Sequence, residues 1–227
     1  MSSHPASASA SPAPIEFARP AVSDAELESV LDVLRSGWLT TGPRVHDFER
    51  AVERRLGRGH AVATNSCTAA LHLGLVLHGV GPGDEVVTTP LTFCSTANVV
   101  EHVGARLALA DIDPTTWNLD PAAAAAAVTR QTRAVIPVHY AGRPVDVGSF
   151  RAIAQRANAA LIEDAAHAFG AVSREGAVGT TGDITAFSFY ATKNLSTGEG
   201  GMLLTPARPA AARAASSSSW RGSSTGR

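Results

Sequence analysis

Lys193 is the one lysine in a chain that carries eighteen arginines. Arginine stays protonated at any working pH, whereas a lysine amine can lose its proton and attack a carbonyl. A lysine kept where arginine serves everywhere else marks a place where such an amine could be needed; the bland alternative is a solvated side chain. The neighbourhood has to decide. Lys193 lies in Phe187-Ser-Phe-Tyr-Ala-Thr-Lys-Asn-Leu-Ser-Thr-Gly-Glu-Gly-Gly201, a stretch dense in hydroxyls and glycines.

Three further segments carry residue types suited to chemistry. In Thr64-Asn-Ser-Cys-Thr-Ala-Ala-Leu71 a strand gives way to a helix. The first-turn N–H groups around Cys67, with the hydroxyls of Ser66 and Thr68, form a ready anion site, although a plain N-cap would look the same. In Ile162-Glu-Asp-Ala-Ala-His167 two adjacent acids follow a buried apolar run. Buried acids are costly without a cationic partner. A protonated ring nitrogen of a heterocycle is one such partner for Asp164, read as the first residue beyond the strand. His167 would follow about one helical turn later; the competing reading is an N-cap Asp beside a structural His. In Ala186-Phe-Ser-Phe-Tyr190, Ser188 projects opposite the two Phe side chains, which packing leaves unexplained and a nearby phosphate would explain. Gly198-Glu-Gly-Gly201 supplies backbone freedom for a close turn. An anion cradle, an acid for a ring nitrogen and an amine together match the phosphate, pyridinium and Schiff-base ends of pyridoxal 5'-phosphate (PLP).

Alternating short elements must position these groups. Helical spacing is expected over 24–34, with Ser23 and Glu26 as a capping box, and again along Val45, Phe48, Val52 and Leu56 up to Gly57. Strands are expected at 61–64, 85–89, 106–110, 134–138, 160–163, 185–189 and 201–205. Helices are expected between them at 68–77, 92–103, 121–128 and 149–157. Seven strands joined mostly through helices predict an α/β fold with a mostly parallel seven-stranded sheet, and a site at its carboxyl edge.

Composition narrows the class. The 227 residues are 44% hydrophobic with a formal charge of -1, an ordinary globular balance that gives no reason to expect nucleic acid or a membrane as partner. Two cysteines, Cys67 and Cys94, are too few for a disulfide framework, and the eight histidines form no ligand pair, so a metal-free cytoplasmic protein is expected. Residues 1–14 read as a disordered Ser/Ala/Pro arm, 15–205 as the cofactor-binding domain, and 206–227 as a helical start followed by a disordered, frame-shifted tail.

From about Ile15 to Thr205 the chain resembles the DegT/DnrJ/EryC1/StrS family of PLP-dependent sugar aminotransferases, of aspartate-aminotransferase fold type I. The resemblance is carried by Ser36-Gly-Trp-Leu-Thr-Thr-Gly42, Gly81-Pro-Gly-Asp-Glu85, Thr92-Phe93, Asp111-Ile-Asp113, Pro137-Val-His-Tyr-Ala-Gly142, Glu163-Asp-Ala-Ala-His167 and the lysine loop. It implies Lys193 as the Schiff-base lysine and proton shuttle, with Asp164 holding the ring nitrogen protonated. It further implies Phe93 and His167 against the two faces of the ring, and Ser188 with the Ser66-Cys67-Thr68 turn at the phosphate. The Cys67 position is often Gly in the family, a change that leaves backbone donation intact. An amino-acid donor, commonly L-glutamate, and a nucleotide-linked keto-sugar acceptor are implied, as is a homodimer for the full-length protein. Related sugar dehydratases carry His in place of the lysine, so Lys193 favours amino transfer. The family's smaller C-terminal domain is expected to be missing, which leaves an inactive remnant as an alternative and predicts uncovered apolar surface. A Rossmann-type dinucleotide binder is disfavoured, because no GxGxxG follows the first strand.

Overall fold

A computed structural model describes residues 18, 20–206 and 213–216. The 1–14 arm and most of the 206–227 tail lie outside the described residues; 213–216 are helical, and Ala214 is fully buried in the core.

The order of elements is α1 (Asp24–Ser36), α2 (Pro43–Leu56), β1 (His60–Thr64), α3 (Cys67–Leu77), β2 (Glu85–Thr88), α4 (Ser95–His102), β3 (Arg106–Leu109), α5 (Pro121–Ala127), β4 (Thr132–Ile136), α6 (Val147–Ala157), β5 (Ala160–Asp164), a small β6–β7 hairpin (Val172–Ser173 and Gly176–Ala177), β8 (Ile184–Ser188) and β9 (Gly201–Thr205). Seven strands form one sheet in the order β1-β9-β8-β5-β4-β2-β3. The four junctions from β3 to β8 are parallel, and β9 pairs antiparallel with both β8 and β1. The expected mostly parallel sheet is present. The β6–β7 hairpin was not expected, since two-residue strands leave no periodicity to read.

Helices cover both faces. On one face Leu71 and Leu75 of α3, with Val99 and Val100 of α4, pack on Val86, Ile136, Ile162, Ile184 and Leu203. Gly74 allows this close approach, because a Cβ there would stand 3.2 Å from the Ile184 side chain. On the other face Phe150 and Ile153 of α6 pack on Val87, Val135 and Leu161. Beside them Val52 and Phe48 of α2 meet Phe187, Phe189, Met202 and Leu204.

Several boundaries differ from expectation for local reasons. α1 begins as predicted, with Ser23 Oγ accepting from the Glu26 N–H and the Glu26 carboxylate accepting from the Ser23 N–H. It then buries none of its residues, and Leu27, Val30 and Leu34 each stand more than half exposed. α4 starts at Ser95, not at residue 92, because residues 92–94 form a turn in which the Phe93 carbonyl accepts from the Thr96 N–H. β5 includes Asp164 as its last residue, and His167 lies in a turn, not one helical turn along. None of the described helices is long and apolar enough to cross a membrane.

Candidate active site

Register alone brings the predicted residues to one edge. β1 and β8 both run antiparallel to β9, so they run parallel to each other, and Thr64 and Ser188 end beside Gly201, the first residue of β9. One junction further, Asp164 pairs with Ala186. Residues opposite each other in a ladder share a face and alternate residues return to it. Asp164, Ala186, Ser188 and Gly201 therefore all face α3, while Glu163, Phe187 and Phe189 face the other way.

The N-terminus of α3 lies directly on this patch. A Cβ on Gly201 would collide with the Ser66 carbonyl group and stand 2.5 Å from the Cys67 nitrogen. Gly201 was expected to lend conformational freedom; its role is steric, and in the 198–201 run only Gly198 has a positive φ, of 80°. Ser66 is the N-cap, its Oγ accepting from the Ala69 N–H at 3.2 Å. That leaves the N–H groups of Cys67 and Thr68, which have no intrahelical acceptor, pointing out of the helix end. Ser188 Oγ, on the same face, accepts a long bond from the Tyr190 N–H at 3.4 Å.

Asp164 is only 4% exposed. Its Oδ2 accepts from the Thr96 hydroxyl at 2.6 Å, and its Oδ1 from the Ala166 N–H at 3.1 Å, with the Cys67 thiol at 3.9 Å. All three donors are neutral, and among the described residues Asp164 enters no ion pair. Lys193 is half-buried on the loop after β8. That loop is closed by paired backbone bonds between Phe189 and Gly200 and between Thr197 and Phe189. Asn194 Nδ2 ties it to the Phe169 carbonyl in the turn after β5. Burial lowers the Lys193 ammonium below the usual lysine range, with Cys67 and Asp164 pulling the other way. Burial, then Asp164, pushes the Cys67 thiol well up, so Cys67 is a packed thiol and not a nucleophile. His167, at the rim, is lowered by burial and then by Lys193. These mutual influences place Lys193, Asp164, Cys67 and His167 in one electrostatic neighbourhood. Phe93 stands 75% exposed beside it, its ring face uncovered.

The second acid has a partner of its own. Glu163 is fully buried and its Oε2 accepts from His139 Nε2 at 2.9 Å. His139 Nδ1 accepts from the Val145 N–H at 3.2 Å, which fixes the proton on Nε2. Glu163 Oε1 takes Thr181 Oγ1, the Gly182 N–H and Thr185 Oγ1. The adjacent acids thus separate into a structural staple on one face and a candidate site residue on the other. Glu163→Ala would orphan this whole set of buried donors, and a loss of about 3–5 kcal/mol is expected. A melt followed by near-UV circular dichroism should fall by roughly 6–20 °C; an unchanged melt would show that the staple is dispensable.

One residue of the neighbourhood, Thr96, escaped sequence reasoning, and its partner Thr92 entered only through the Thr92-Phe93 motif. Nothing in the type or spacing of a threonine at a helix start distinguishes it from filler. Two cavities lie elsewhere: one of about 600 Å³ at Arg58, Arg151 and Glu175, and one of about 490 Å³ between α1 and α2.

The residues present fit PLP. The buried carboxylate without a cation suits a protonated ring nitrogen, the α3 end with Ser188 suits a phosphate, and the amine suits an aldehyde. Comparison with known proteins agrees. Residues 20–224 match the family model of the DegT/DnrJ/EryC1/StrS aminotransferase family, and the chain belongs to that family, whose cofactor is PLP. The spore coat polysaccharide biosynthesis protein SpsC of Bacillus subtilis (strain 168) is 51% identical over 191 residues, covering 84% of this chain and 49% of SpsC. DesI, solved in the presence of its TDP-sugar product, is 40% identical with a TM-score of 0.80, over 86% of this chain and 50% of DesI. Spr1654 from Streptococcus pneumoniae in its PLP form is 34% identical with a TM-score of 0.82, over 86% and 54% of the two chains. The chain spans about half the length of these relatives.

Proposed function

We propose that residues 15–205 are the PLP-binding domain of an aminotransferase that moves an amino group from an amino acid, L-glutamate, to a nucleotide-linked keto-sugar. The observation that carries this reading is Asp164, a buried acid with neutral donors only, in the same electrostatic neighbourhood as the chain's single lysine. DesI, crystallised with a TDP-sugar product, and SpsC, a polysaccharide biosynthesis protein, support a sugar acceptor for this chain.

Bound there, PLP would supply an electron sink for the bond broken at the donor's α-carbon. The protein's share is positional and protonic. Cys67 and Thr68 N–H groups, with the hydroxyls of Ser66, Thr68 and Ser188, would hold the phosphate. Asp164 would hold the ring nitrogen, and Phe93 and His167 would lie against the ring. Lys193, lowered by burial, has its amine free of the proton at lower pH than a solvated lysine, so Nζ can take up and return a proton. His167, lowered as well, gives up its proton at lower pH than a solvated imidazole.

The test uses the chain as it is. Incubation with PLP and reduction with borohydride is expected to fix the cofactor on the peptide containing Lys193, read by mass spectrometry. The only other amine in the chain is the N-terminus, an internal control. Labelling confined to the N-terminus would overturn the reading.

A further inference from the structure

We infer that Thr96, backed by Thr92, is a positioning residue that aims the Asp164 carboxylate at the ring nitrogen of PLP. The inference rests on the reading above and extends it to a hydroxyl that acts through Asp164.

The bonds have a fixed direction. Thr96 is fully buried, and its Oγ1 lies 2.6 Å from Asp164 Oδ2, the length of a charge-assisted bond. A carboxylate only accepts and a threonine hydroxyl has one proton, so Thr96 must donate to Asp164. The 2.8 Å contact between Thr92 Oγ1 and Thr96 Oγ1 then runs from Thr92 into Thr96. The result is a one-way relay from the turn before α4 to the end of β5.

Its consequence is orientational. The carboxylate is held at both oxygens by groups from different elements: Oδ2 by α4, and Oδ1 by the Ala166 N–H after β5 and weakly by the Cys67 thiol of α3. An ionised carboxylate offers about four accepting positions, so about one remains for an incoming N–H. Two pinned oxygens stop the group from turning about its Cα–Cβ and Cβ–Cγ bonds, and the free position keeps one direction. Removing Thr96 leaves Oδ2 with no protein donor and the carboxylate held on one side only. Phe93 sits on the same turn, between Thr92 and Thr96 in sequence, so the relay also ties the exposed ring to the acid.

A role limited to packing α4 on β5 would disturb any ligand of the edge; an orienting role concerns the ring nitrogen alone. The experiment is therefore a titration of Kd by absorbance for two probes: PLP, and its carbocyclic analogue with C–H in place of the ring nitrogen. Thr96→Val is expected to weaken PLP about tenfold and to leave the analogue within about twofold of wild type; Thr96→Ser, which keeps the hydroxyl, should restore PLP binding to within about threefold. Thr92 is only partly buried, so Thr92→Val keeps the test open where Thr96→Val fails to fold, with about a threefold loss for PLP and none for the analogue. Equal losses for both probes, or no loss for either, would overturn the positioning role. A wild-type chain that takes up neither probe would instead overturn the PLP reading on which it stands.

Discussion

Lys193→Ala is expected to abolish the borohydride-fixed adduct inside the chain, leaving only label at the N-terminus. Lys193→Arg should do the same, because a guanidinium keeps the charge but cannot release its proton to attack the aldehyde. The wild-type adduct should form at lower pH than with a solvated alkyl amine, since attack needs the free amine and burial lowers the Lys193 ammonium. The stability sign runs opposite to that of a salt-bridged lysine. A lysine whose folded value lies below its unfolded value binds a proton more readily when unfolded. Folding is then opposed at pH below the folded value, and the opposition fades as pH rises to the ordinary lysine value. At neutral pH Lys193→Ala should therefore melt at or slightly above the wild-type temperature while losing the chemistry. A mutant that melts well below wild type would show that Lys193 supports the fold instead.

Gly201→Ala should do the reverse, harming fold and binding together. The added methyl has backbone, not a flexible side chain, in its way: the Ser66 carbonyl group and the Cys67 nitrogen. Relief requires the first turn of α3 to lift off β9, against which the helix packs. A cost of about 3 kcal/mol is expected, a drop in melting temperature of roughly 6–12 °C. The displaced atoms are the same backbone proposed above to cradle the phosphate. PLP should thus bind at least about tenfold more weakly, while pyridoxal, which has no phosphate, should lose far less. Equal losses for the two ligands would place the phosphate elsewhere.

The parts of the site that could be read before the structure were those whose residue type is itself unusual. Lys193 stood out because arginine fills every other basic position, and Asp164 because acids seldom follow three buried apolar residues. The strands were legible where apolar runs end at Gly or Pro, as in 201–205 and 85–88. What stayed hidden depended on contacts between distant segments. Glu163 was an adjacent acid with no named partner until His139, 24 positions away, appeared as one. Thr96 looked ordinary until it met an acid 68 positions away. Gly201 was noticed for the wrong reason, because no local pattern reveals that a helix end will rest on it. The turn at 92–94 looked helical because Phe93 fits the apolar spacing of α4; its exposure shows that spacing alone could not tell a ring packed in the core from one left on the surface.

The place of β9 in the sheet sets the order in which this site can come into being. The last of the described strands to leave the ribosome is inserted between β1, the first, and β8. Until residue 205 has emerged, β1 has no neighbour in the sheet and β8 has an open edge, a state that invites wrong pairings. The parallel portion from β3 to β8 can assemble earlier, since its junctions do not involve β9. α3 packs on β5 and β8 within that portion, and Cys67 reaches Asp164, so β9 adds the last support beneath the helix end, at Gly201. A nascent chain can therefore bring α3 and Asp164 together first, and β9 closes the floor under Ser66 and Cys67 at the final strand-pairing event of the described sheet.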